Sequence, residues 1–217
     1  MRPGMVMLAA LAAIGACTQV QEIERTGDVP LVLADTAGQA RTVTYQVPDP
    51  SSDGMTPRIT VLRGTACQLG SQRATRTSLF TISNRDYANV FQDEFRRAGY
   101  RALDAAAAGT PGDARGVAAD FRIIGVMSNV RANVCLPAVD LGNLYDGKGE
   151  ASMTVRWEVH AAAGKSVVYT TTQRGYAKVD DPIPAAPREL LRAAFARAIH
   201  GLLADEGFRA AMRATGG

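Results

Sequence analysis

Apolar and polar residues alternate most cleanly between residues 152 and 161. Met153, Val155, Trp157 and Val159 are separated there by Thr154, Arg156, Glu158 and His160. A period of two sends the first set to one face and the second to the other, so this stretch predicts a strand buried on one side only. The turn AAGK around Gly164 returns the chain through residues 166–179, rich in Val, Tyr and Thr, and the two runs predict a β-hairpin. Residues 58–63 (RITVLR) alternate in the same way. Residues 120–130 (DFRIIGVMSNV) carry apolar side chains at both parities, which predicts a central strand.

Two segments switch to helical spacing. Ser83 with Asp86 three residues on opens a capping box, and Tyr87, Val90, Phe91, Phe95 and Ala98 then fall on one stripe. Gly99 stands where a helix ends in the left-handed conformation. A second helix starts with Pro187 in its first turn, and Leu190, Leu191, Ala194, Phe195, Ala198, Ile199, Leu202 and Leu203 give it a broad apolar face. Gly207 interrupts it before a short last helix with Phe208 and Met212.

The remaining stretches are less regular. Residues 31–34 and 41–47 flank DTAGQ, whose Gly38 suits a turn, and predict a small hairpin. Residues 48–54 (PDPSSDG) form a boundary of turn formers. Residues 64–82 read as loop with a short strand over 79–82, and residues 104–117 and 131–150 as further loops. The order strand, helix, strands, hairpin, helix predicts an α+β two-layer sandwich, a mostly antiparallel sheet covered by two amphipathic helices. The chain divides into residues 1–16, a signal segment; 17–56, an anchor and tether with the small hairpin; and 57–217, the α+β domain.

The first segment changes the picture most. Arg2 is followed by the apolar run 5–14 (MVMLAALAAI) and then Gly15-Ala16-Cys17. A positive start, a short apolar run and small residues make a secretory signal peptide. A run of about ten residues is too short to cross a ~30 Å hydrocarbon core. Ile14-Gly15-Ala16-Cys17 resembles the lipobox of bacterial lipoproteins, with Ile14 where leucine is usual. The resemblance implies cleavage before Cys17 and acylation, palmitate included, of that cysteine. Thr18, where aspartate would mark inner-membrane retention, implies the outer membrane facing the periplasm. Several acyl chains on one residue hold a protein at a membrane stably.

With Cys17 acylated, Cys67 and Cys135 remain, an even pair in an oxidising compartment, and are expected to form one disulfide. The chain has 24 Lys and Arg, one of them Arg2 in the signal, against 21 Asp and Glu. So balanced a charge argues against a nucleic-acid partner.

Candidate chemistry is sparse. Residues 142–149 (GNLYDGKG) match the first seven positions of a phosphate-binding loop, but Gly149 replaces the required Ser or Thr and a strand follows instead of a helix. Asp140, Asn143, Asp146 and Glu150 lack the spacing of a calcium loop. His160 and His200 are read as surface residues, Asp180-Asp181 as a solvated turn, and Arg63, Arg73 and Arg76 as a solvated loop, with a basic patch for anionic lipid or glycan as the alternative. No catalytic, cofactor or metal residues are assigned.

Residues 153–169 (MTVRWEVHAAAGKSVVY) and 187–208 (PRELLRAAFARAIHGLLADEGF) follow a pattern similar to small Gram-negative envelope lipoproteins of the YajG group and the auxiliary lipoproteins of ABC-type lipid transporters. That resemblance implies a non-catalytic accessory or scaffold of envelope transport, assembly or maintenance, working with an envelope protein partner. A module binding periplasmic lipid or peptidoglycan is the alternative.

Overall fold

The computed structural model describes residues 26–36, 41–46, 58–63, 67, 69–74, 82–104, 119–136, 146–161 and 166–214. Along them run β1 (Thr42–Gln46), β2 (Arg58–Arg63), β3 (Leu69–Ala74), α1 (Asn84–Arg97), β4 (Arg101–Leu103), β5 (Phe121–Leu136), β6 (Gly147–Ala161), β7 (Val167–Ile183), α2 (Ala186–Ala204) and α3 (Glu206–Ala214). Cys17, the signal segment, residues 48–54 and Arg76 lie outside the described residues.

β5 is the axis of a seven-stranded sheet. On one edge it pairs antiparallel with β6 from Phe121↔Ala161 to Cys135↔Lys148. On the other it pairs in parallel, first with β1 (Val43↔Phe121) and farther along with β2 (Arg58↔Arg131). β4 continues the sheet in parallel beyond β1, and β3 antiparallel beyond β2. The hairpin β6–β7 forms as predicted, and β7 is an outer strand whose ladder partner is β6. The two longest ladders are antiparallel and the helices pack on one face, so the α+β two-layer reading holds; the parallel pairings of β1 and β2 are the addition.

Residues 131–150 are not one long loop. β5 continues to Leu136 and β6 begins at Gly147. A β-bulge conceals the continuation. The register with β6 shifts between Ser128 and Arg131, and Asn129 takes the left-handed conformation at φ 51°. One extra residue reverses the parity of a strand. Phe121, Ile123 and Met127 face the core before the bulge; Val130, Ala132 and Val134 are buried after it.

Two more expectations fail for packing reasons. β1 does not pair with residues 31–34. It lies between β5 and β4, where Val43 and Tyr45 are 0% and 1% exposed. An isolated hairpin could not bury them so completely. Residues 26–35 instead run irregularly beside the helices, and the Ala34 amide donates to the Ala98 carbonyl at 2.7 Å. Within residues 64–82, Leu69–Ala74 (LGSQRA) is a strand rather than loop, hidden because an edge strand needs little apolar character. Ile82 is irregular and buried, and residues 79–81 lie outside the described residues.

The helices form as predicted. Ser83 Oγ accepts the Asp86 amide at 3.1 Å, the Asp86 carboxylate accepts the Ser83 amide at 3.1 Å, and Gly99 follows the Ala98 cap at φ 93°. The predicted apolar faces of α1 and α2 are buried. They enclose Trp157, fully buried, with Tyr45, Phe91 and Phe195 at ring distances of 6.5, 6.3 and 5.7 Å. Each buried side chain of this size contributes about 1.5–3 kcal/mol. α2 lies close over β7 because Gly175 has no side chain: a Cβ there would collide with the Ala194 carbonyl.

Candidate functional site

Groups with displaced pKa values are a first guide to chemistry, and here they belong to the framework. Tyr45 and Tyr87 are pushed well up by burial in the aromatic core, and Tyr100 is pushed up to about 12 by burial, with a smaller contribution from Asp35. Burial pushes the Asp86 carboxyl up, but its bonds to Ser83 and the charges of Arg188 and Arg192 outweigh that and hold it below its ordinary value. Each has a structural task, as packed ring or helix cap.

Neither histidine is a freely exposed surface residue. His160 lies on the face of β6 opposite the helices, as its position in the alternation predicts, but its side chain is only 12% exposed, with Nε2 3.5 Å from Glu158 Oε2. His200 is not at the surface. It is 8% exposed, with Nε2 3.0 Å from Glu94 Oε2 on α1 and Nδ1 3.1 Å from the Val29 carbonyl. The helical stripe could not show this, because its acceptors come from residues 106 and 171 positions away.

Other singled-out residues scatter. Asp180 and Asp181 belong to β7 rather than to a turn, and Asp180 pairs with Lys178 at 2.6 Å. Arg63 and Arg73 occupy β2 and β3 rather than loop, and stand at different positions of that ladder. Gly147, Lys148 and Gly149 open β6, so the phosphate-loop sequence leads into a strand as expected. Glu150 accepts the Tyr176 hydroxyl at 3.0 Å. Among the described residues no group of three His, Cys, Asp or Glu is placed to hold a metal ion, and no helix is long and apolar enough to cross a membrane. Cys67 and Cys135 are joined in a disulfide, their Cα atoms 5.3 Å apart.

Three surfaces remain, all built by the sheet. The first is the face opposite the helices, where Arg122, Thr154, Arg156, Glu158 and His160 meet solvent in part or fully. The second is the 17-residue outer strand β7. Beside it a groove of about 590 Å³ runs between β7 and α2, with Val179, Ile183 and Leu190 among its apolar lining. Arg197 reaches across to Asp28 at 3.2 Å at its rim. The third is a small cleft at the β5 bulge, polar on the side formed by Asn129, Arg131, Ser152, Thr154 and Arg174. Neither the bulge nor the cleft is marked by a motif; the only trace in the sequence is the change of apolar parity around Asn129.

No protein-family model and no curated protein matches the chain. Several solved structures share a similar chain course. The Xanthomonas campestris protein XCC0632, of the family DUF330, is 11% identical, with 84% of this chain and 93% of that one covered, at a TM-score of 0.44. A PelC dodecamer subunit from Paraburkholderia phytofirmans is 12% identical over 81% and 93% of the two chains, at 0.37. A candidate lipoprotein from Caulobacter crescentus is 16% identical over 67% and 84%, at 0.32. The likeness is distant in each case, and no property of those proteins passes to this chain.

Proposed function

We propose that this chain is a non-catalytic lipoprotein of the outer membrane, anchored through an acylated Cys17, that serves as an accessory or scaffold in envelope transport, assembly or maintenance. One observation carries the reading. β7 is an outer strand of 17 residues beside a groove that joins apolar residues such as Val179, Ile183 and Leu190 to the charged Asp28, Lys178, Glu189 and Arg197, and among the described residues its only ladder partner is β6. The outer edge of such a strand presents backbone donors and acceptors that an extended segment of a partner protein can satisfy, while alternate side chains of that segment enter the groove. The lipobox sequence supports the anchor, and the displaced pKa values, all in framework roles, fit a binding task better than catalysis.

A second reading, a module for a lipid or peptidoglycan ligand, draws on the groove volume of about 590 Å³, which lies within the usual ~300–1,000 Å³ of small-molecule pockets. Extraction in mild detergent separates the two. A scaffold co-purifies with a stable envelope protein and loses it when Val179→Asp charges the groove. A ligand module retains lipid or glycan detectable by mass spectrometry and brings no protein partner. Cys17→Ser tests the anchor separately: release from the membrane is expected, and unchanged fractionation with the outer membrane would refute it.

A further inference from the structure

The outer edge of β7 has no ladder partner among the described residues, and its two parts differ in character. Between the register shifts at 167–169 and 179–183, the ladder with β6 runs unbroken. The start of that run, residues 169–175 (YTTTQRG), holds one charge, Arg174, and no proline. Lys178, Asp180, Asp181 and Pro182 come later in the strand. Charges and proline are the usual means of keeping a sheet edge from pairing with another chain. The edge is thus guarded beyond Ala177 and open before it. The open part is also held in place. Tyr169, Thr171 and Gln173, on the same side of β7 as α2, donate to Asp205 at 2.6, 3.1 and 3.2 Å. A strand already fixed loses little conformational freedom when its edge is covered.

The occupant follows from charge and register. An identical strand laid antiparallel about a two-fold axis at Thr172 sets Thr172 against itself, Thr171 against Gln173, Thr170 against Arg174 and Tyr169 against Gly175. No like charges meet, and Lys178 and Asp180 stay outside the paired span. Other axes are worse. At Arg174 two arginines stand opposite each other, and at Tyr176 Arg174 stands opposite Lys178. Like charges directly opposite destabilise a ladder, whereas Thr–Thr pairs favour one. An axis at Gly175 draws Lys178 into the span, and one at Gln173 presses together two side chains already tied to Asp205. We propose that a second copy of this chain pairs with β7 over residues 169–175, antiparallel and centred on Thr172, so that two sheets become one. The part of β7 that lines the groove, from Tyr176 to Ile183, stays outside this pairing. The inference therefore goes beyond the scaffold reading and leaves the groove open to an envelope protein.

Sedimentation equilibrium of the full-length protein in a neutral detergent tests the pairing. A monomer–dimer equilibrium is expected, weakened at least tenfold by Thr170→Lys combined with Thr172→Lys, which sets like charges against each other at both positions. Both threonines are exposed, so the double variant should keep the wild-type urea midpoint. Thr172→Cys locates the axis. Residues directly opposite in an antiparallel pair lie ~4.5–5.5 Å apart at Cα, within reach of a disulfide. A mild oxidant should link Thr172→Cys into a covalent dimer and leave Lys178→Cys unlinked. Val179→Asp, which tests the groove, should leave self-association unchanged, so this inference and the scaffold reading can fail separately. Four results would overturn the proposal: a protein still monomeric at about 100 µM, a dimer unmoved by the double lysine variant, an assembly larger than the two copies a two-fold axis closes, or linking at 178 in preference to 172.

Discussion

His200 on α2 and Glu94 on α1 form a buried pair that also fastens the N-terminal segment. The imidazole is held between Glu94 Oε2 at 3.0 Å and the Val29 carbonyl at 3.1 Å, and Glu94 Oε1 accepts from Arg97 at 2.9 Å. A carbonyl only accepts, so Nδ1 carries a proton toward Val29. One ring thus joins both long helices to the segment around Val29. His200→Ala leaves Glu94 buried without its ring partner and should cost about 2–3 kcal/mol. Urea denaturation measures the loss, and limited proteolysis should cut residues 26–35 faster. If the double variant with Glu94→Ala loses the sum of the two single changes, the pair is not coupled.

Asp205 ties the outer strand to the last helix. Its Oδ1 accepts the Tyr169 hydroxyl at 2.6 Å and the amides of Gly207 and Phe208, and its Oδ2 accepts from Thr171 and Gln173 at 3.1 and 3.2 Å. Burial raises the carboxyl pKa, but these donors outweigh burial and hold it below the ordinary 3.8. A depressed folded-state pKa gives stability that is present above the unfolded value and lost as pH falls through the folded one. The contribution should be complete above about pH 5 and decline below the ordinary carboxylate value. Asp205→Asn should lower the urea midpoint at pH 7 and flatten its fall between about pH 5 and 3. A variant as acid-sensitive as the wild type would remove Asp205 from this role.

Gly175 sets the distance between α2 and β7. Its place on β7 is opposite Met153, and the Ala194 carbonyl and Ala198 amide of α2 occupy the space where a side chain would stand. Both obstacles are backbone, so neither yields by rotating. Gly175→Ala should cost about 1–3 kcal/mol through forced separation of the layers. Thermal unfolding and Trp157 fluorescence would report it, since Trp157 lies under α2 against Phe195. Wild-type stability would mean that the helix shifts without penalty.

Local signals were legible where they were complete in one short window. The Ser83–Asp86 box, the stripe from Tyr87 to Ala98 and the alternation through Trp157 each carry their own partner or period, and each formed as read. What was hidden depends on distance or on a break in period. The bulge at Asn129 reverses parity and makes the second half of β5 look like loop. β3 is polar because it lies on an edge, and β4 is three residues long. His200 appeared solvated because Glu94 and Val29 are remote in sequence. The cleft between Arg131 and Arg174 exists only once three strands align.

The Cys67–Cys135 bridge is expected to stabilise one side of the sheet more than the other. Cys135 is near the end of β5, opposite Leu62 of β2 and Lys148 of β6, and the bridge closes a 68-residue separation across β3, α1, β4 and most of β5. In the chain-entropy model a loop of this length is worth about 4 kcal/mol. The enclosed elements are not equally dependent on it. α1 and the first half of β5 are held by the aromatic core around Trp157, whereas β3 has β2 as its only ladder partner among the described residues. Reduction should therefore speed amide hydrogen exchange in β2 and β3 by more than tenfold while the β6–β7 ladder keeps its protection. Uniform acceleration across the sheet would show that the bridge supports the whole fold. Two free thiols labelled in the unreduced protein would show that the bridge does not form.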